Sequence, residues 1–438
     1  MGGGLLQLVA YGAQDAYLSG NPQITFWRGL FKRHTNFAME PFRVNLTGQA
    51  AWGTKHSAIL GRHADLVASA YIEVELEPDT KGGELIYDGV PSATDPINPS
   101  AHVPRRGGFN LLEYVELDIG GQIIDRQYAE FMYLWSTLAC SYEEQLKMDM
   151  MAQTILLKNG ECGVSGRPSR KNITYIPLMF FFCRNPGAAL PLIALQYHEV
   201  KINILWNKTK NIFKSSPQTN SNGPAQANLL IDYVYLDVDE RRRMAQESHE
   251  YLIEQTQFNE DKGLSSAQNR VDLTFNHPVK ELIWVTQYSW RKNCNITPPV
   301  GKTVTPLTYD SMIYDCSLQL NGQDRVPSLP GQYYAAVQPY QHHSGTSFSD
   351  GDQYQSGGMA TAAAGGVYMY SFAIKPEEHQ PSGTCNFSRI DTATLVFSID
   401  GDKAVSNADI ENADIRVYAI NYNILRVMSG MGGLAYSN

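Results

Sequence analysis

Five blocks of this chain occur twice, in the same order, and that repeat limits the possible folds more than any other feature of the sequence. Ala70–Glu75 (AYIEVE) resembles Glu281–Thr286 (ELIWVT). Tyr114–Gln122 (YVELDIGGQ) resembles Asp315–Gln323 (DCSLQLNGQ), and each is followed by an Asp-Arg pair, Asp125-Arg126 or Asp324-Arg325. Two blocks lie in Tyr175–Trp206. Its apolar run Ile176–Cys183, bounded by turn residues, reads as a strand buried on both sides, with Pro177 at the strand start. Asn185-Pro186-Gly187 supplies turn chemistry. Val200, Ile202 and Ile204 then alternate with Lys201 and Asn203, the pattern of a half-buried strand. The same plan returns as the aromatic strand Val367–Ile374, the breaker-rich connection Lys375–Asp391 and the alternating Leu395, Phe397 and Ile399. The fifth pair is Ile231–Asp237 (IDYVYLD) with Ile415–Asn421 (IRVYAIN). Strands separated by turn chemistry and repeated in tandem predict a duplicated β-sandwich.

The repeat sets the domain plan. Residues 1–25, with the flexible run Gly2-Gly3-Gly4, form an arm that packs on a neighbour or under its own domain, or else a frayed terminus. The first sandwich is expected over 26–238, a connector over 239–247 and the second sandwich over 248–438, beginning with the strand His249–Phe258. The connector carries Arg241-Arg242-Arg243. These could grip phosphate, or pair with Asp237, Asp239, Glu240 and Glu247, and the latter is favoured. Phe131, Leu134, Trp135 and Leu138 fall at helical spacing, so helices are inserted between strands within 126–158; the nearby Met148, Met150 and Met151 read as packing. Stretches 77–110, 207–228, 287–310 and 341–366 are polar or low in complexity and read as surface loops. The C-terminal Val427–Asn438 is glycine-rich and is expected, like the arm, to remain free for contacts.

Charge and cysteines exclude several classes. The 44 acidic and 35 basic residues give a net charge of −9, whereas a protein coating DNA is normally basic. Arg28, Lys32, Arg33 and His34 stand among aromatic residues in Phe26–Val44, but nothing extends this basic patch, so a strand with a solvated basic turn is favoured over a nucleic-acid site. Cys140, Cys162, Cys183, Cys294, Cys316 and Cys385 form no CxxC pair and are expected to be free thiols in a reducing compartment. The start lacks the basic region of a signal peptide, and Leu6 breaks the myristoylation pattern opened by Met1-Gly2. No apolar run approaches the about 18 residues of a membrane-spanning helix.

No catalytic, cofactor-binding or metal-binding residue is expected. His198-Glu199 and His249-Glu250 lack the second histidine of a zinc-protease helix. His342-His343 falls in a flexible loop with no fixed carboxylate or thiolate partner. Neither a phosphate-binding GxxxxGK[ST] nor a GxSxG elbow occurs, and Gly430, Gly432 and Gly433 do not fit GxGxxG. Asn45, Asn172, Asn207, Asn295 and Asn386 begin N-x-[ST] sequons, which matter only in a secretory lumen.

Several long blocks carry a family resemblance. LLQLVAYGAQDAYLSGNPQITFWRGLFKRHTNFAME, PLIALQYHEVKI, HEYLIEQTQF, LQLNGQDR, VQPYQ, QPSGTCNFSRID and MSGMGGLAYSN run from one end of the chain to the other. They resemble the major capsid proteins of large icosahedral double-stranded DNA viruses, most closely those of algal phycodnaviruses. The resemblance implies an all-β chain of two tandem eight-stranded antiparallel jelly rolls with inserted loops and short helices. It implies homotrimeric, pseudo-hexagonal capsomers that tile an icosahedral shell over an internal membrane. The expected partners are neighbouring capsomers and minor capsid proteins, with glycans on outward loops, no direct nucleic acid and no transmembrane segment. The expected location is the virion, after assembly in the host cytoplasm. Two other readings are a jelly-roll carbohydrate-binding or surface attachment protein, for which no sugar-stacking aromatic cluster stands out, and a cupin-like enzyme, which would need clustered histidines where these ten are scattered.

Overall fold

The computed structural model describes residues 3–24, 26, 27, 29, 31, 33–76, 107–152, 172–208, 223, 224, 226–264, 268–288, 313–345, 367–399 and 413–437. The chain divides into two compact units, Met1–Phe37 and Ala38–Asn438. In the first unit Gly3 and Gly4 lie within a helix. It spans Gly3–Val9, because Leu5, Leu6, Gln7 and Leu8 are good helix formers that outweigh two leading glycines. Asp15 accepts a hydrogen bond from the Gly12 N–H at 2.8 Å and closes the turn before a short helix, Ala16–Ser19.

The second unit holds the duplicated sandwich. Its first half contains β1 (Phe37–Asn45), β2 (Lys55–Ile59), β3 (Leu66–Leu76), β4 (Leu112–Ile119), β5 (Gln122–Tyr128), β6 (Asn172–Pro177), β7 (Leu190–Pro191), β8 (Val200–Trp206) and β9 (Gln226–Leu236). Its second half contains β10 (His249–Lys262), β11 (Gln268–Asp272), β12 (Pro278–Tyr288), β13 (Ile313–Leu320), β14 (Gln323–Pro330), β15 (Val367–Ser371), β16 (Cys385–Asn386), β17 (Ala393–Ile399), β18 (Ala413–Met428) and β19 (Met431–Leu434). The sheets are antiparallel, ordered β1-β9-β3-β6 and β2-β8-β4-β5 in the first half, β10-β18-β12-β15 and β11-β17-β13-β14 in the second. Strand for strand the two halves have one topology, that of the double jelly roll. Helix Val238–Gln246 stands between β9 and β10, and the Asp237 carboxylate caps its start by accepting from the Val238 N–H.

The repeated Gly-Gln motif has a physical cause. Gly120 and Gly121 (φ 62° and 88°) join β4 to β5, and Asn321 and Gly322 (φ 51° and 75°) join β13 to β14. Two consecutive residues at positive φ make the turn whose twist matches the flanking strands, which strongly favours glycine and asparagine there. The Asp-Arg pairs that follow do not occupy matching places. Asp125 lies opposite Leu117 on the β4-β5 ladder, whereas Asp324 lies opposite Gln319 on β13-β14.

Other expectations need correction. The run Ile176–Cys183 is not one strand. β6 ends at Pro177, which has no N–H to extend the ladder, and Phe181–Arg184 then forms one helical turn. The expected alternation on β8 is met, with Val200, Ile202, Ile204 and Trp206 buried. Helices span Ala129–Ala139 and Tyr142–Ala152 as the spacing predicts. The glycine-rich tail is not free, because β18 turns at Ser429-Gly430 into β19. The Gly430 carbonyl accepts from the Tyr197 N–H at 2.9 Å, which pins the tail to the first half. The stretches 77–106, 209–222, 289–312 and 346–366 lie outside the described residues.

Each half has its own core, and β10-β18-β12-β15 belongs to two of them. Leu282, Trp284, Val417 and Ala419 face β11-β17-β13-β14. Ile283, Val285, Val367, Met369, Tyr418 and Ile420 join the core of the first half instead. That sheet is therefore buried on both faces. Strands buried on both faces read as continuous apolar runs, as in Leu282–Val285 and Val367–Tyr370.

Candidate functional site at the seam between the two halves

The most chemically structured region is the seam where the first half packs on β10-β18-β12-β15. The first half contributes β5, helix Ala129–Ala139 and the helical turn Phe181–Arg184. Apolar contact opens the seam: the Tyr128 ring lies 4.5 Å from Phe258 and the Phe131 ring 5.7 Å from Tyr418. Polar groups then fix the register. Glu130 receives two bonds from the Arg416 guanidinium, both at 2.6 Å, and a third from the Tyr418 hydroxyl at 2.6 Å. Burial works against the Arg416 charge, but Glu130 outweighs it and keeps the guanidinium protonated.

A second cluster surrounds Trp135. Lys280, fully buried, donates to Glu254 at 2.7 Å and to the Pro376 carbonyl at 2.6 Å, with its ammonium 5.2 Å from the Trp135 ring centroid. Arg184 donates to the other Glu254 oxygen at 2.9 Å and stacks 4.7 Å over Trp135. Burial lowers the Lys280 pKa, opposed by the Glu254 charge. Two cations on one carboxylate and one indole ring place charge at a buried seam, where an unmatched partner would be costly.

His343 is the third cluster, and it corrects the sequence reading. The histidine does not sit in a flexible loop without partners. Its ring bridges Glu281 at 3.0 Å and Glu377 at 2.9 Å and stands nearly perpendicular to the Trp135 ring. Burial alone would depress its pKa, but the two carboxylates outweigh that and push it up to about 9. The next residues tie to helix Ala129–Ala139: the Gly345 N–H donates to the Leu138 carbonyl at 2.8 Å and the Ser344 hydroxyl to Ala139 at 3.3 Å. His342, by contrast, meets the Ile374 carbonyl alone among the described residues.

Asp125 closes the seam. It accepts from the Thr256 N–H at 2.9 Å and from Gln127 at 3.0 Å, while Gln255 donates to the Ile124 carbonyl. Burial raises its pKa to about 6, against the opposing hydrogen bonds and Arg184.

The remaining candidates resolve as structure. Arg241 pairs with Asp65 at 3.0 Å, a partner sequence proximity could not suggest, and Arg243 pairs with Glu247 at 3.4 Å. His198 contacts Gly432 at 3.0 Å and His249 the Met244 carbonyl at 2.8 Å. Cys183, Cys316 and Cys385 are free thiols. Among the described residues no group of three or more His, Cys, Asp or Glu side chains is arranged to hold a metal ion, and no helix is long and apolar enough to cross a membrane. The seam was hidden from sequence reasoning because its polar members are scattered from position 125 to 418 and belong to no spacing motif.

Comparison with known proteins fits this architecture. Residues 25–237 match the family model of the major capsid protein N-terminus, and residues 240–433 that of the large eukaryotic DNA virus major capsid protein. The major capsid protein of Pyramimonas orientalis virus is 44% identical, with all of both chains covered. That of Paramecium bursaria Chlorella virus 1 is 38% identical, again with all of both chains covered. The chain in the quasi-atomic model of the PBCV-1 virus capsid superposes with a TM-score of 0.73 at 33% identity, covering 94% of this chain and 100% of that one. The Faustovirus major capsid protein, at 12% identity and a TM-score of 0.67 over 95% of this chain and 94% of that one, shares the fold. A duplicated jelly roll fused along a buried seam and matched from end to end by these proteins is thus a member of the major capsid protein family of large eukaryotic DNA viruses, with a structural role in the virion capsid.

Proposed function

We propose that three copies of this chain associate into a pseudo-hexagonal capsomer that tiles an icosahedral shell. The observation that carries this reading is the seam. It fuses two like sandwiches into one block, so three chains around an axis present six similar sandwiches. Closed cyclic symmetry is the usual solution for self-association. The residue ranges 26–238 and 248–438 act as the two sandwiches, with 239–247 as the connector and 1–25 as an arm. The partners are neighbouring capsomers and minor capsid proteins, with glycans on outward loops. Assembly takes place in the host cytoplasm. The role is architectural, without a catalytic step. Light scattering on protein released gently from particles, or made recombinantly, tests the reading: the expected mass is about three times the 48.8 kDa chain. A stable monomer or dimer over a wide concentration range, with no hexagonal outline in negative stain, would sink it.

A further inference from the structure

The ion pairs of the seam differ in what a change of pH can do to them. Arg416 on Glu130 and Arg184 on Glu254 are guanidinium pairs, and a guanidinium keeps its proton at every accessible pH. His343 is an imidazole, which donates to two carboxylates only while both ring nitrogens carry hydrogen. Nε2 faces Glu281 and Nδ1 faces Glu377.

Those two carboxylates are unequal. Glu281, on β12, is fully buried; His343 donates to its Oε2, and its Oε1 has no partner among the described residues. Glu377, in the connection after β15, keeps 23% of its side chain in solvent. It also gathers the next residue, accepting from the Ser344 N–H at 2.8 Å and the Ser344 hydroxyl at 2.7 Å. Donors from two adjacent residues thus close on Glu377. The same short segment reaches across to the end of helix Ala129–Ala139 through Ser344 and Gly345.

The charges around the ring balance only with its proton in place. β12 brings Glu281 and Lys280, β10 brings Glu254, β18 the Tyr422 hydroxyl and the first half Arg184. The connection brings Glu377, with Lys375 and Glu378 paired to each other beyond it. Without the His343 proton, Glu254, Glu281 and Glu377 face Lys280 and Arg184 alone. A neutral ring keeps one N–H. Glu281 cannot reach water, so that hydrogen stays on Nε2, and Nδ1 turns a lone pair on a Glu377 oxygen. Glu377 stands at the edge of the seam and can retreat into solvent.

We propose that His343 is a proton-operated latch: protonated, it closes segment His343–Gly345 over the end of helix Ala129–Ala139; neutral, it keeps Glu281, releases Glu377 and lets that segment lift while the two halves stay joined. The latch opens on the alkaline side. Burial favours the neutral ring, but the two carboxylates outweigh it and hold the proton up to a pKa of about 9. Burial likewise works against the Glu377 charge, but His343 and Ser344 keep its pKa below the ordinary 4.5, so mild acid leaves the latch shut.

The test uses the full chain labelled with 5-fluorotryptophan. The Trp135 resonance, identified by its absence from Trp135→Phe, reports on the imidazole 5.9 Å away. Its shift should titrate with a midpoint near pH 9, and that step should vanish in His343→Gln. Deuterium exchange at pH 7.5 then reads the segment itself. In His343→Gln, amides 344 and 345 should exchange at least about tenfold faster than in the parent, while β12 and β18 stay unexchanged over the same minutes. Glu377→Gln is the second variant: amides 344 and 345 should loosen likewise, and the Trp135 midpoint should fall by about one pH unit or more. A Trp135 resonance without a step between pH 7.5 and 10.5, a step that persists in His343→Gln, or parent-like exchange at 344 and 345 in either variant overturns the latch. Exchange that spreads through β12 and β18 on the same timescale overturns it too, because His343 would then support the whole seam rather than one segment.

Discussion

His343 illustrates how a single side chain serves the seam. Its folded pKa of about 9 exceeds the ordinary value of 6.5, so its contribution is fully present below pH 6.5 and is lost as pH rises through about 9. The shift corresponds to roughly 3 kcal/mol at most. In His343→Gln, urea unfolding should show a deficit of about 1–3 kcal/mol at pH 7.5 that shrinks by pH 10; a deficit constant with pH would mean that only packing was lost. Asp125 has the opposite sign. Its pKa is raised, so ionisation penalises the fold as pH climbs from 3.8 through about 6. Asp125→Asn should therefore gain stability relative to the parent, by on the order of 1–3 kcal/mol, between pH 4.5 and 7.5. Equal midpoint differences at the two pH values would contradict this.

At the scale of elements, the tail hairpin and the seam helix show what holds the halves together. Gly430 sits at φ 81°, and a Cβ there would stand 2.5 Å from the Tyr197 ring. Gly430→Ala therefore combines a left-handed backbone with a clash and should cost about 1–3 kcal/mol. Hydrogen exchange should rise across β19 and around Tyr197; unchanged protection there would show that the hairpin tolerates a side chain. Helix Ala129–Ala139 is anchored through Glu130. Arg416→Met leaves that carboxylate mostly buried beside an apolar chain, and breaking one side of such a pair costs about 3–5 kcal/mol. A double-mutant cycle with Glu130→Gln should return a large part of that loss. Additive effects of the two changes would show that the pair is not coupled.

For the whole molecule, the sheet buried on both faces makes the halves interdependent. A fragment holding 248–438 alone would bare Ile283, Val285, Val367, Met369, Tyr418 and Ile420. It should be recovered aggregated, whereas the whole chain stays soluble, because an apolar face of that extent seeks a partner. A soluble, cooperatively folding fragment would disprove the dependence. Residues 346–366, rich in Gly, Ser and Ala, should tolerate shortening without loss of thermal stability, provided that 341–345 are kept for their ties to the seam. A shortened chain that fails to fold would show that the stretch is packed.

The duplication, the five paired blocks and the two glycine-bearing hairpins are legible in the residues alone. These are local: alternation such as Val200–Ile204 records which face of a strand is wet, and Gly-Gly or Asn-Gly records a turn that most residues adopt only at a cost. The blocks aligned the strands but not always their faces. Ile72 and Ile283 hold the same place in AYIEVE and ELIWVT, yet Ile72 pairs with Leu229 in its own core while Ile283 pairs with Tyr418 toward the other half. A one-residue offset exchanges the two faces of a strand, and similarity of apolar residues cannot detect it. Folding in three dimensions is what buries Asp125 while Asp324 of the second Asp-Arg pair stays exposed, clamps His343 but not its neighbour His342, and brings Arg241 to Asp65. Each of these depends on which groups the fold brings within about 3 Å, and hydrogen bonds and ion pairs reward that distance rather than separation along the chain.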